Sequence, residues 1–279
     1  MISFFHTFHP QAIIFSWGII EIHWYGLTMV AGMIAALITA YKLTKYYHLE
    51  TETIFDLSFW LIIGGLIGAR IYDDLLQLPY YIQHPLQSIE IWKGGLAIHG
   101  GIIAGLLIIY WFAKKKNINF WKLSAIFVPG LALAQAIGRW GNYFNQEIFG
   151  LPTKLPWGIP IDLVNRPAAY LNNLYFQPTF LYASLGCFII FLVLIMLNIW
   201  AIKNRRLNRN FFINSIAIYL ILYSLLRFLL EFIRLDPAPI VFGLRWPQDI
   251  SLLIMVLAIS LIYLKNYVPA FIQKTPKKR

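Results

Sequence analysis

The sequence predicts an all-α integral membrane protein with seven transmembrane helices, the N-terminus outside, the C-terminus cytoplasmic, and a small extracytoplasmic cap. Three observations predict it. Of the 279 residues, 59% are hydrophobic and only 13% charged, with a mean hydropathy of +0.64; soluble domains carry about 25% charged residues. Apolar stretches near the ~20 residues needed to cross a bilayer recur along the whole chain. Basic residues gather in alternate loops, the pattern that sets orientation, and the 17% aromatic content suits Trp and Tyr belts at the two interfaces.

The spans are expected at 17–41, 54–76, 95–113, 123–141, 178–200, 212–233 and 247–265. Loops on one side carry Lys42 and Lys45, then Lys114–Lys116 with Lys122. They continue with Lys203, Arg205, Arg206 and Arg209, and end on the tail residues Lys265, Lys274, Lys277, Lys278 and Arg279. The other side carries Lys93, Arg139, Lys154, Arg166, Arg234 and Arg245. Fifteen against six places the first set in the cytoplasm. The whole chain, 1–279, reads as one polytopic membrane domain. Residues 77–94, with Pro79, Pro85, Tyr80 and Tyr81, read as an interfacial segment. Residues 142–177, with four prolines and several Asn and Tyr, read as the cap inserted between spans four and five. The start Met1-Ile2-Ser3-Phe4 has no basic region, so a cleaved signal peptide is not expected.

Composition also narrows function. The formal net charge of +11 sits between apolar segments, where it sets topology, so no nucleic-acid partner is expected. Cys187, the single cysteine, allows neither an intramolecular disulfide nor a multi-cysteine metal site. It lies in an apolar span and reads as a buried small residue. No cluster has metal-ligand spacing, and no metal or cofactor is expected.

The informative residues are polar ones in an apolar setting. Tyr25 lies early in span one, near Glu21 and His23, and Arg70 is followed by Asp73 and Asp74 on one helix face. His99 sits among glycines in G-G-L-A-I-H-G-G, residues 94–101. The stretch G-R-W-G-N-Y-F-N-Q-E-I-F-G, residues 138–150, ends span four with Arg139, Asn142, Asn145 and Glu147. Tyr223, Arg227, Glu231 and Arg234 form one stripe of span six. Each has a structural explanation: Arg70–Asp74 and Arg227–Glu231 as neutralising ion pairs, Gly64 and Gly68 as close helix packing, Tyr25 as belt. Taken together they share one level, the outer half of the membrane. Arg139 and Arg227 there point to an anion, since guanidinium grips phosphate by paired hydrogen bonds. At that depth the available anion is a phospholipid headgroup, beside a histidine suited to handling protons.

These residues resemble the prolipoprotein diacylglyceryl transferase family, through W-Y-G at 24–26, G-A-R at 68–70, H-G-G at 99–101, the 138–150 signature and Y-x-x-x-R-x-x-x-E-x-x-R at 223–234. The resemblance implies an enzyme of the bacterial inner membrane, multi-pass, with its active site toward the outer leaflet. It would take phosphatidylglycerol from the surrounding membrane lipids and a lipobox-containing preprolipoprotein. The diacylglyceryl group would move to the lipobox cysteine as a thioether, glycerol phosphate leaving. Carried over, Arg139 and Arg227 hold the headgroup phosphate, while Tyr25 and His99 line the reaction centre, with His99 assisting thiol deprotonation. Asn142, Glu147, Gly150, Tyr223, Glu231 and Arg234 complete the phosphatidylglycerol site. Two positions depart from the family: Gln177-Pro178-Thr179-Phe180-Leu181-Tyr182-Ala183 stands where it has His-Pro-x-x-x-Tyr-Glu, and Ala125 replaces a carboxylate. Both changes are expected at the periphery. Rival classes are a lipid transporter or flippase and a non-catalytic phospholipid-binding relative. The chain shows no inverted repeat, and its polar residues crowd to one side, which speaks against transport.

Overall fold

The computed structural model describes residues 2–18, 20–91 and 94–264. Lys93 and the basic tail, Lys265 with Lys274, Lys277, Lys278 and Arg279, lie outside the described residues. In chain order the elements are α1 (Ile2–Thr7), β1 (Ile13–Trp17), β2 (Ile20–His23), α2 (Trp24–Thr44), α3 (Thr51–Leu76), α4 (Leu78–Gln83) and α5 (Ile98–Lys116). There follow α6 (Phe120–Phe144), β3 (Ile159–Pro160), β4 (Tyr175–Phe176), α7 (Thr179–Lys203), α8 (Arg209–Glu231), β5 (Ile240–Val241), β6 (Leu244–Arg245) and α9 (Trp246–Leu264). Seven of these helices, α2, α3, α5, α6, α7, α8 and α9, are long and apolar enough to span a membrane. Only 17–44% of each one's most apolar stretch is buried within the protein, leaving a wide apolar surface for lipid.

Six of the spans lie within about three residues of expectation, but the first does not. Residues 13–23 form an antiparallel hairpin, Trp17 opposite Ile20, turning at Gly18 with φ +61°. The helix begins at Trp24. A short apolar run reads alike for helix and strand, and Ile, Phe and Trp at 13–17 favour the strand. Tyr25 therefore stands in the first turn of its helix.

The chain forms two compact units. One runs from Tyr41 to Ile126. Its α3 and α5 pack on small residues: a Cβ on Gly100 would lie 2.2 Å from the Gly68 carbonyl oxygen, and one on Gly68 2.4 Å from Ala104 Cβ. Close backbone approach of this kind is how apolar helices associate in lipid. Asn117, left-handed at φ +53°, ends α5.

The other unit holds the described residues up to Ala40 and from Phe127 onward. Here α2 and α6 pack closely, Gly130 against Ala36 and Gly32 against Ala134. Ser184 on α7 donates to the Ala136 carbonyl (2.8 Å), and Tyr219 on α8 to Gln135 Oε1 (3.1 Å). These two bonds fix α7 and α8 on α6 around a core of Val128, Ala132, Ile190, Leu194 and Tyr219. Asn208 caps α8 by accepting from the Phe211 N–H. Beyond α6, the strands β3 and β4 pair, and Tyr143, Phe149, Ile159, Ile161, Phe176 and Phe180 close a separate small core. Gln146 pins that lobe, donating to the Pro10 carbonyl and Asp162 while accepting from the Asp162 N–H.

Candidate active site

A small open cleft lies in the larger unit, between the C-terminal end of α6, the N-terminal end of α7 and the C-terminal half of α8. Arg139, Asn142, Tyr223, Arg227 and Arg234 line it, joined by Ile148, Thr179, Phe180, Ala183, Cys187, Leu226 and Leu230. Its lining thus combines cationic and polar side chains with apolar ones, a mixture that suits a charged headgroup attached to hydrocarbon.

Arg139 comes from the last two turns of α6. Its Nη2 donates to Tyr223 Oη (3.2 Å), and among the described residues no carboxylate lies within ion-pairing distance. Guanidinium carries five N–H donors, so most of this one's capacity is uncommitted. A charge in an apolar bundle is costly without a partner, and the vacancy of donors faces the cleft. Asn142, three residues on and nearly fully buried, donates to Glu147 Oε1 (2.6 Å), while the Glu147 N–H donates to the Asn142 carbonyl (3.0 Å). The signature thus folds back on itself as α6 ends.

Its remaining residues shape the cleft wall. Ile148 adopts φ +55°, a left-handed conformation uncommon for a β-branched residue, and its carbonyl accepts from Thr179 Oγ1. Gly150 pairs backbone to backbone with Arg234; a Cβ there would lie 2.9 Å from the Ile233 carbonyl oxygen. Gly150 therefore does its work as the joint that ties the lobe to the end of α8. Gly141 makes room for Tyr25, whose Cδ2 would lie 2.8 Å from an added Cβ. Tyr25 is within electrostatic reach of Glu147 and Arg139.

On α8, Glu231 is fully buried and shared by three arginines: Arg227 at 3.2 Å, Arg245 at 3.1 Å and Arg234 at 3.7 Å. Arg234 also grips Asp236 with two hydrogen bonds, 2.6 and 2.8 Å. Three arginines meet two carboxylates, so the cluster keeps a positive surplus beside the uncommitted Arg139. Arg245 and Asp236 were not candidates from sequence, where Arg245 was counted only as a loop charge. Arg245 reaches Glu231 because the β5–β6 hairpin turns the chain back at Gly243, φ +81°, while Asp236 joins through Arg234.

The structure brings Tyr25, Arg139, Asn142, Glu147, Tyr223, Arg227, Glu231 and Arg234 into this one unit. His99 belongs to the other, exposed in the first turn of α5 with its ring 6.0 Å from that of Tyr72. Arg70, also there, is a fastener. Nε donates to Ser88 O (2.9 Å), Nη1 to Gly94 O and Gly95 O (2.8 and 2.9 Å), and Nη2 to Gln87 O. Asp74 pairs with it at 3.2 Å and the Tyr81 ring stacks 5.0 Å away. Asp73 accepts instead from Gln77 and Tyr81.

The expected peripheral position of the family departures needs correction at Ala183, which lines the cleft; Gln177 and Ala125 do not line it, Ala125 being fully buried in the other unit. Position 183 lies one turn into α7 and borders the cleft, which an apolar side chain in an apolar helix does not advertise. Cys187, one turn further, also lines the cleft while remaining buried.

The chain is similar to known proteins over nearly its whole length. The family model described as Prolipoprotein diacylglyceryl transferase matches residues 12–264. Relatives carrying the name phosphatidylglycerol--prolipoprotein diacylglyceryl transferase include one from Acaryochloris marina, 39% identical over 91% of this chain and 92% of the relative. One from Nostoc sp. is 41% identical over 81% and 80%, and one from Finegoldia magna 41% identical over 87% and 90%.

Proposed function

The chain belongs to the prolipoprotein diacylglyceryl transferase family, and from that premise we propose that it transfers the diacylglyceryl group of phosphatidylglycerol to the lipobox cysteine of a preprolipoprotein. The cysteine thiolate attacks the glyceryl carbon that bears the phosphate. A C–S bond forms and the C–O bond breaks, its electron pair passing to the phosphate oxygen. The phosphodiester monoanion becomes a phosphomonoester, glycerol 1-phosphate, which carries a further negative charge.

That developing charge is what the site is built to meet. Arg139 and Arg227 bind the phosphate and stabilise the leaving group, with Tyr223 orienting Arg139; fixed donors aimed at forming charge are the strongest common catalytic device. Asn142 and Glu147 hold the headgroup's glycerol side, and Tyr25 borders the reacting carbon. Glu231 and Arg234 set the place of Arg227. The thiol proton passes to a base, for which His99 is the candidate from sequence, and the field of the two arginines favours the thiolate. The acyl chains remain among membrane lipids, against the apolar side chains that border the cleft. The cleft faces the outer leaflet of the bacterial inner membrane, and residues 142–177 cap it from outside. Loop charge supports this orientation, as does the gathering of polar candidates at one end of the spans.

The observation that carries the reading is Arg139, a guanidinium with uncommitted donors facing a half-apolar cleft. Purified protein is incubated with phosphatidylglycerol and a lipobox peptide, and the peptide is examined by mass spectrometry. A diacylglyceryl thioether on cysteine, with one glycerol phosphate released per peptide modified, is the expected result. Unmodified peptide, or acylation without glycerol phosphate, contradicts it.

A further inference from the structure

We propose that Arg245 is a positioning residue for the phosphatidylglycerol site, acting through Glu231 on Arg227; this rests on the function proposed above. Arg245 closes β6 and turns inward. Its Nε lies 3.1 Å from Glu231 Oε1, Nη1 donates to the carbonyls of Glu231 and Arg234, and Nη2 donates to the carbonyl of Asp236. All three nitrogens are directed at protein, and Arg245 is not among the side chains lining the cleft. It cannot serve as a ligand contact in this arrangement.

Its effect falls on the shared carboxylate. Glu231 offers Oε2 to Arg227 at 3.2 Å and Oε1 to Arg245. A buried carboxylate left to Arg227 and Arg234 alone would draw Arg227 into a closed pair and leave the cluster neutral, because Asp236 already engages Arg234. With Arg245 present, Glu231 anchors Arg227 at the wall without cancelling its charge. Arg245 thus sets both the place of Arg227 and the positive surplus that a phosphate meets.

The test compares wild type, Arg245→Gln and Arg245→Lys in the full-length purified protein. The readouts are KM for phosphatidylglycerol, KM for the lipobox peptide, kcat, and inhibition by inorganic phosphate. Arg245→Gln is expected to raise KM for phosphatidylglycerol and weaken phosphate inhibition, each by about tenfold, the size of one charge-assisted hydrogen bond. Peptide KM stays unchanged. Arg245→Lys, which restores charge without the fork, recovers part of both losses. Wild-type values for both in Arg245→Gln overturn the proposal, and so do equal losses in peptide and lipid KM, which mark a merely structural strap. Should Arg245→Gln fail to fold, Arg245→Lys decides: raised lipid KM with unchanged peptide KM supports the role, and unaltered lipid KM overturns it. If wild type makes no thioether, the proposed function fails instead; if wild type is active and Arg245→Gln matches it, only this inference fails.

Discussion

Arg70 and Arg139 are two arginines near the ends of apolar helices, each in a run with glycine, and the protein treats them oppositely. Arg70 is 7% exposed, donates to four backbone carbonyls and pairs with Asp74. Arg139 has one hydroxyl partner and faces a cleft. A guanidinium saturated by its own chain holds a loop in place; one left mostly unsatisfied awaits a ligand. Depth and residue type do not separate the two cases. The count of internal partners does.

The difference can be broken by substitution. Arg139→Ala is expected to lower turnover by about 100- to 1,000-fold, the range for removing one donor from a developing anion, with thermal unfolding close to wild type. Arg70→Ala reverses the pattern. It strands Asp74 and frees four carbonyls, and is expected to cost about 3 kcal/mol of stability, read as an earlier unfolding transition; whatever protein stays folded keeps its affinity for phosphatidylglycerol. Loss of turnover in Arg70→Ala at unchanged stability would erase the distinction. Gly150→Ala is expected to cost about 1–3 kcal/mol through overpacking against Ile233, Thr179 and Gln177, again visible in thermal unfolding. Cys187→Ala should change least, with turnover close to wild type in the peptide assay, because the thiol is buried cleft wall. A dead Cys187→Ala would call for a covalent enzyme intermediate.

Most of the fold was legible because a bilayer imposes a simple rule, about 20 apolar residues per crossing. The start of span one was not, since Ile13–His23 is as apolar as a helix but pairs as a hairpin. In the site, Arg139, Asn142, Tyr223 and Arg227 were legible as polar groups in an apolar setting. Arg245 and Asp236 were not: they lie beyond the end of α8, where charge is ordinary, and only the β5–β6 turn brings Arg245 to Glu231, while Asp236 enters through Arg234. Ala183 carried no signal either, being an apolar residue in an apolar helix until the cleft beside it is seen. The roles of Arg70 and Gly68 could be narrowed to two readings, and contacts chose between them.

The most direct test of the central claim is lipid preference. Native mass spectrometry on wild type and Arg139→Ala, each titrated with phosphatidylglycerol and with phosphatidylcholine, measures it. Wild type is expected to favour phosphatidylglycerol, and Arg139→Ala to lose at least about tenfold of that preference. An unchanged preference in Arg139→Ala would contradict the account.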